Sequence, residues 1–309
     1  MGTYARAGLA AVLAFGALLT VIRISQDGSA TATTPPRGPY VALGDSYTAG
    51  PKIPGQTGKP AGCDRSDRNY PALVAQKLNL KAAAFRDVSC SGATTADLSA
   101  PQSTGNGVNR AQFSALSGRT RLVTLGIGGN DIGFSSLITQ CVKRGVFYLA
   151  TGGDKYSSDD APCKAQNTSD GTDRVRDRIQ AAGQRLARAL SEIKRRAPQA
   201  RVYVVGYPAI LPSSTTGCGR EMALAPGDVS FLREKEQQLN DMLRRQAQAA
   251  GAGYVDTYAP SADRDACSAS DTRWIEPLIP LAPAAPVHPN ARGERGMADA
   301  VLSTIGAKV

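Results

Sequence analysis

The chain has 309 residues, of which 42% are hydrophobic, 20% charged and 6% aromatic, and its formal net charge is +10. That length is enough for one large hydrophobic core or two small ones. Because the chain contains a single histidine, an ordinary zinc site has almost no ligands available, and we expect neither a metal nor a cofactor.

The N-terminus has the pattern of a targeting segment. Arg6 precedes an apolar run, residues 9–22, which is shorter than the roughly 20 residues of a membrane-spanning helix. An A-T-A motif that ends at Ala32 has the form of a signal-peptidase site. We therefore predict a signal peptide over residues 1–32. Arg23 lies far before that site, so an uncleaved membrane anchor is the alternative, and both interpretations export the folded part.

Export limits the partners that the net charge could attract. A secreted protein with few aromatic residues is a poor candidate for nucleic-acid binding, so we expect no nucleic-acid partner. We also expect the protein to be a monomer. The positive charge is best explained as a solvated surface that favours solubility. A weak attraction to anionic lipid surfaces remains an alternative.

A buried strand followed by a turn is predicted at residues 40–50. The apolar run Tyr40-Val41-Ala42-Leu43 stops at a glycine, and Ser46 follows within two residues of that stop. Ligands of open α/β sheets bind just beyond the carboxyl ends of the strands, so Ser46 is a candidate nucleophile. The alternative is a plain polar turn. The segment is not a G-x-S-x-G elbow, because Thr48 stands where that motif has its second glycine.

Strands and helices alternate along the rest of the chain. Further strands are predicted at residues 82–88, 122–127, 201–207 and 253–256, and helices at 69–80, 172–196, 228–250 and 290–305. Thr172 and Asp228 are the predicted N-caps of the second and third of these helices. Residues 144–171 lack a pattern and are predicted to form a loop or small cap. This order indicates one α/β domain over residues 39–309, after a tether at 33–38, with helices on both faces of a parallel sheet.

Three later segments carry further candidate residues. Gly92 follows the second predicted strand, and Asn130 follows the third, within Gly128-Gly129-Asn130-Asp131. The carboxyl ends of parallel strands share one edge of the sheet, so these residues and Ser46 are expected to lie close together. The only histidine, His288, belongs to an H-P-N-x-x-G pattern in the loop before the last helix. A histidine can take the proton of a serine hydroxyl at neutral pH.

These four motifs, in this order, resemble those of the SGNH or GDSL hydrolases, and in particular their secreted actinomycete esterase and lipase branch. The resemblance implies a flavodoxin-like, three-layer α/β/α fold with a central parallel sheet of about five strands. It also implies an oxyanion hole formed by the Ser46 N–H, the Gly92 N–H and the Asn130 side chain.

The activity implied is hydrolysis of carboxylic esters, especially fatty-acyl or lipid esters, through an acyl-Ser46 intermediate with His288 as general base. Removal of O-acetyl groups from carbohydrates or cell-wall polymers is one alternative. A non-catalytic secreted binding protein is another.

One departure from the family concerns the acid that orients the histidine. The family usually has an aspartate three residues before it, where this chain has Ala285. Some relatives with a similar Trp-Ile-Glu-Pro segment use a main-chain oxygen in that role, so the Trp274 carbonyl is our candidate. Asp271 and Glu276 are the nearest alternatives in the sequence.

The six cysteines fit an oxidising compartment and allow 15 pairings. Pairing of nearest neighbours is the simplest expectation and gives Cys63–Cys90, Cys141–Cys163 and Cys218–Cys267.

Overall fold

The computed structural model of the protein describes residues 34–36, 38–151, 160–214 and 218–307, and these belong to one compact unit. The predicted signal peptide lies outside the described ranges. Within them, no helix combines the length and the apolar character needed to cross a membrane.

The described strands are β1 (Tyr40–Gly44), β2 (Phe85–Asp87), β3 (Gln102–Thr104), β4 (Gly107–Asn109), β5 (Leu122–Gly126), β6 (Arg201–Val205) and β7 (Gly253–Val255). Five of them form a parallel sheet in the order β2-β1-β5-β6-β7, and β3 and β4 form a separate antiparallel pair. The predicted parallel sheet of about five strands is therefore confirmed. Strands β1 and β5 pair residue for residue, from Tyr40 with Leu122 to Gly44 with Gly126, so their carboxyl ends are level.

The described helices are α1 (Ser46–Ala49), α2 (Tyr70–Lys77), α3 (Phe134–Ala150), α4 (Pro162–Asn167), α5 (Arg174–Arg196), α6 (Gly219–Met222), α7 (Pro226–Ala249) and α8 (Ala291–Thr304). Alternate side chains of β1 point to opposite faces of the sheet. Val41 and Leu43 belong to the core cluster that contains the buried stripes of α5 and α7, whereas Tyr40 and Ala42 pack with α2 and α8. The fold is the predicted three-layer α/β/α arrangement.

Helix boundaries differ from the predictions where distant residues determine them. Helix α5 begins at Arg174 and is capped by the Asp173 side chain, not by Thr172. Asp228 lies inside α7, and its buried carboxylate accepts hydrogen bonds from the Cys163 and Lys164 N–H groups at the start of α4. That contact spans more than 60 residues, so local sequence does not reveal it. The predicted loop at 144–171 is partly wrong as well, because α3 continues to Ala150 and α4 follows.

The three predicted disulfides are confirmed: Cys63–Cys90, Cys141–Cys163 and Cys218–Cys267. The first joins two loops close to the carboxyl edge of the sheet, because the Ser91 N–H also donates to the Cys63 carbonyl and the Cys90 N–H to the Gly44 carbonyl. This places the turn that contains Gly92 beside the end of β1.

Candidate active site

Ser46 begins a one-turn helix directly after β1. The Asp45 side chain caps that helix by accepting from the Tyr47 N–H at 2.9 Å, and Gly50 ends it with a φ of 72°. The Asp45 N–H donates to the Gly126 carbonyl, which extends the β1–β5 ladder by one residue. The Ser46 side chain is therefore fixed at the carboxyl edge of the sheet, as the sequence predicts.

The hydroxyl of Ser46 lies 2.8 Å from Nε2 of His288, 242 residues later in the chain. Nδ1 of the same ring lies 2.7 Å from the carbonyl oxygen of Pro286. Because a carbonyl can only accept, Nδ1 carries the proton, and Nε2 is free to accept from the serine hydroxyl. Burial lowers the pKa of His288 below its ordinary value of 6.5, so the ring stays neutral at neutral pH.

The prediction that the Trp274 carbonyl orients His288 is wrong. That carbonyl accepts from the Asn290 N–H at 2.8 Å, next to a short antiparallel bridge between Ile275 and Pro289. Trp274 therefore anchors the start of α8, and Pro286 supplies the oxygen that faces Nδ1.

Neither alternative carboxylate is bonded to the ring. Asp271 is exposed. Glu276 is buried, and its carboxylate accepts from the Leu281 and Ala282 N–H groups and from the Asn290 side chain.

An unusual backbone conformation at Val287 accompanies the Pro286 contact. Val287 has a φ of 59°, which is rare for a β-branched residue and needs support from its surroundings. Its N–H donates to the Glu276 carbonyl at 3.0 Å, and its own carbonyl accepts from the Tyr47 hydroxyl at 2.6 Å. Tyr47 occupies the position of the leucine in the G-D-S-L motif, and its ring lies against that of His288 with a centroid distance of 4.9 Å. Sequence reasoning missed this contribution of Tyr47.

The other motif residues meet at the same edge. Asn130 donates its side-chain N–H to the carbonyl of Ala93 at 2.9 Å, which joins the end of β5 to the turn that contains Gly92. Gly92 has a φ of 78°, a conformation that favours glycine. Within the part of the chain that the structure describes, its N–H donates to no protein acceptor. Ser46, Gly92, Asn130 and His288 are therefore brought together, as predicted.

Asp131 also connects the loop after β5 to the segment that follows Gly92. Its carboxylate accepts from the Thr95 N–H at 2.9 Å and from Arg185 on α5 at 3.0 Å, with the carboxylate side chain only 3% exposed. Asp45 and Asp131 therefore both hold turns in place by accepting backbone N–H bonds.

A buried tyrosine links the ends of three strands. Tyr207, just after β6, donates its hydroxyl to the Asp45 carboxylate at 2.5 Å and accepts from the Gly129 N–H at 2.8 Å. Burial raises the pKa of Asp45 to about 7, although the Tyr207 hydrogen bond opposes that shift. Sequence reasoning ended the fourth strand at Tyr207 without assigning it to the site. Its position at the carboxyl edge is the signal that could have identified it.

An apolar cavity of about 170 Å³ opens beside Ser46, Asn130 and His288. Phe134 and Ile138 from α3, Leu239 from α7 and Leu278 from the loop before His288 form much of its wall. Glu236 also lines it, but its buried carboxyl group accepts from the Ile210 N–H, and burial raises its pKa well above the ordinary value. The cavity is thus lined largely by apolar side chains, and it opens beside the polar groups of Ser46, Asn130 and His288.

A serine hydroxyl bonded to a histidine, beside oriented N–H donors at the edge of a parallel sheet, is the arrangement of a serine hydrolase. The model of the GDSL-like Lipase/Acylhydrolase family matches residues 42–295. Lipase 2 of Streptomyces coelicolor is 39% identical over 299 residues, which cover 96% of this chain and 96% of that protein. An esterase of Streptomyces scabiei is 30% identical over 327 residues, covering 96% of this chain and 93% of that protein.

Solved structures of similar proteins share the fold. Phospholipase A1 from Streptomyces albidoflavus NA297 superposes with a TM-score of 0.68 at 28% identity, covering 86% of this chain and 99% of that one. The extracellular lipase from Streptomyces rimosus gives a TM-score of 0.67 at 27% identity, with the same coverage of 86% and 99%. The chain belongs to the GDSL-like lipase/acylhydrolase family, and it is a carboxylic ester hydrolase of the esterase and lipase type.

Proposed function

We propose that the protein hydrolyses fatty-acyl esters of lipids through an acyl intermediate on Ser46. The observation that supports this substrate class is the apolar cavity that opens beside the Ser46 and His288 side chains. Its volume of about 170 Å³ resembles that of engineered apolar cavities of about 150 Å³, which hold benzene. Such a space suits the first part of an acyl chain.

The proposed reaction begins when Nε2 of His288 takes the proton of the Ser46 hydroxyl as the oxygen attacks the ester carbonyl. The Pro286 carbonyl holds the Nδ1–H through this step. The tetrahedral oxyanion is stabilised by the Ser46 N–H, the Gly92 N–H and the Asn130 side chain, and the loss of one such donor typically costs about 10²–10³ in turnover. His288 then protonates the leaving alcohol, and a water activated by the same ring releases the fatty acid.

A panel of p-nitrophenyl esters from acetate to palmitate, with phosphatidylcholine, triglyceride and acetyl-xylan beside it, tests the substrate class. We expect turnover of acyl chains longer than acetate and little release from acetyl-xylan. The reverse preference would favour a carbohydrate O-acetyl esterase. A serine-directed phosphonate should label the parent protein and not Ser46→Ala, and equal labelling of the two would contradict an acyl intermediate on Ser46.

We also propose that the protein is secreted after cleavage near Thr33. Three disulfides are typical of exported proteins, and the similar lipase from Streptomyces rimosus is extracellular. Mass spectrometry of the culture supernatant should find a mature chain that begins near Thr33. Full-length protein found only in the membrane fraction would instead indicate an uncleaved anchor.

A further inference from the structure

The chain between Glu276 and His288 is entirely without polar side chains. Residues 277–287 read Pro-Leu-Ile-Pro-Leu-Ala-Pro-Ala-Ala-Pro-Val, eleven residues with no charge and no side-chain hydrogen-bonding group. Surface loops are normally rich in polar residues, so a loop of this composition beside an active site needs an explanation.

Two large side chains of this loop point into solvent. Ile279 is 80% exposed and Leu281 is 73% exposed, the two highest values among the exposed large hydrophobic residues of the described chain. The loop is nevertheless held in place. The Glu276 carboxylate accepts from the Leu281 and Ala282 N–H groups at 2.9 and 3.2 Å, and the Ala285 N–H donates to the Pro51 carbonyl at 3.1 Å. The backbone thus keeps both side chains outside the core.

Both ends of the loop belong to the wall of the cavity beside Ser46. Leu278 lines the cavity at one end, and Pro286 and Val287 line it at the other. The exposed residues Ile279 and Leu281 lie between these two ends. Any partner surface that contacts Ile279 and Leu281 therefore also lies close to the cavity that leads to Ser46.

The charge of the protein favours an anionic surface. The formal net charge is +10, and the loop itself contributes no negative charge. Lys52 is exposed and follows Pro51, whose carbonyl holds the loop. Within the described residues, Lys52 forms no ion pair with a carboxylate. Exposed apolar side chains and basic residues both contribute to the binding of anionic membranes, at about 1 kcal/mol for each basic residue near the surface.

We propose that residues 278–285 form a lipid-docking loop, which inserts Ile279 and Leu281 into an anionic lipid surface and brings the cavity mouth onto it. This inference rests on the proposed function, because a docked lipase must draw its substrate from that surface. The cavity then receives an acyl chain directly from the lipid layer, without passage through water.

The test measures binding in a protein that does not turn over substrate. Flotation with vesicles of phosphatidylcholine and phosphatidylglycerol, 1:1, compares two mature proteins. The parent for this test carries Ser46→Ala alone, and the loop variant carries Ser46→Ala together with Ile279→Ser and Leu281→Ser. We expect the loop variant to bind at least about tenfold more weakly, because two large apolar side chains no longer leave water. Parent binding should also be weaker on pure phosphatidylcholine. Equal binding of the parent and the loop variant, or no binding of the parent, would overturn the proposal.

A matched control distinguishes this loop from general surface hydrophobicity. Phe147 is 69% exposed and lies on α3, nine residues beyond the cavity residue Ile138. Phe147→Ser should leave vesicle binding within about twofold of the parent, and a loss as large as that of the loop variant would refute the localisation. With Ser46 restored, the loop substitutions should lower hydrolysis of vesicle lipid and leave hydrolysis of p-nitrophenyl butyrate within about twofold. If the protein bound vesicles through the loop but cleaved neither substrate, the proposed function would fail and the docking surface would stand.

Thermal melting followed by circular dichroism checks that the double variant is folded. If it is not, Ile279→Ala alone provides the milder variant, for which we expect about threefold weaker vesicle binding. Unchanged binding of that folded variant would count against the proposal.

Discussion

Glu276→Gln separates a structural carboxylate from a catalytic one. In the structure, all three groups that contact the Glu276 carboxylate are donors: the Leu281 N–H, the Ala282 N–H and the Asn290 side chain. Glutamine offers one oxygen and one NH₂ group, so at least one buried donor then faces another donor. An unsatisfied buried donor costs about 1–3 kcal/mol of unfolding free energy. For a domain of this size, that corresponds to a melting temperature lower by about 2–10 °C.

Turnover should respond much less than stability. Because His288 is held by the Pro286 carbonyl, we expect Glu276→Gln to lower kcat on a soluble p-nitrophenyl ester by less than about tenfold. Replacement of a true triad aspartate by asparagine lowers turnover about 10⁴-fold. Ser46→Ala and His288→Ala should abolish activity in the same assay.

Asp271→Asn is the matched control for the loss of one negative charge in the same segment. Asp271 is exposed, so its replacement should change neither kcat nor the melting temperature appreciably. A loss of about 10³-fold or more in either variant, with native circular dichroism, would show that this carboxylate reaches His288 during turnover. The interpretation that the Pro286 carbonyl, and no carboxylate, orients His288 would then be incorrect.

Three further predictions concern the site and its support. Tyr47→Phe removes the hydrogen bond to the Val287 carbonyl, and at about 1 kcal/mol for that bond kcat should fall about fivefold with KM unchanged. A change confined to KM would contradict a positioning role for Tyr47. Because burial lowers the pKa of His288, its ring remains an uncharged base to lower pH, so the acid limb of kcat/KM should have its midpoint below 6.5; a midpoint above 6.5 would contradict this. Replacing both Cys63 and Cys90 by alanine opens a bridge with a sequence separation of 27 and should lower the unfolding free energy by about 3–4 kcal/mol in urea titration; a loss below about 1 kcal/mol would contradict the estimate.

The sequence predicted the features that depend on neighbouring residues. Short apolar runs that stop at glycine located the strand ends, and parallel pairing then placed Ser46 and Asn130 at one edge of the sheet. The paired serine and histidine also followed from short motifs, since each motif lies within a few residues.

The features that sequence reasoning missed depend on distant contacts or on single dihedral angles. Tyr207 meets Asp45 across 162 residues, and no local pattern records that hydrogen bond. The choice between the Trp274 and Pro286 carbonyls depends on the backbone of Val287, where a positive φ is unexpected for a β-branched residue. A motif can supply a carbonyl in that region without specifying which one faces the ring.

The Pro286 carbonyl also changes how the site tolerates acid. A carboxylate that orients a histidine also stabilises the protonated ring by its negative charge, and so raises the pKa of the histidine. A peptide carbonyl carries no net charge, so burial dominates and the ring of His288 remains an uncharged base to lower pH. The pH at a strongly anionic lipid surface is about half a unit or more below that of the bulk solution, as a surface potential of about −30 mV or more negative requires. A histidine oriented by an uncharged acceptor is therefore well suited to work at such a boundary.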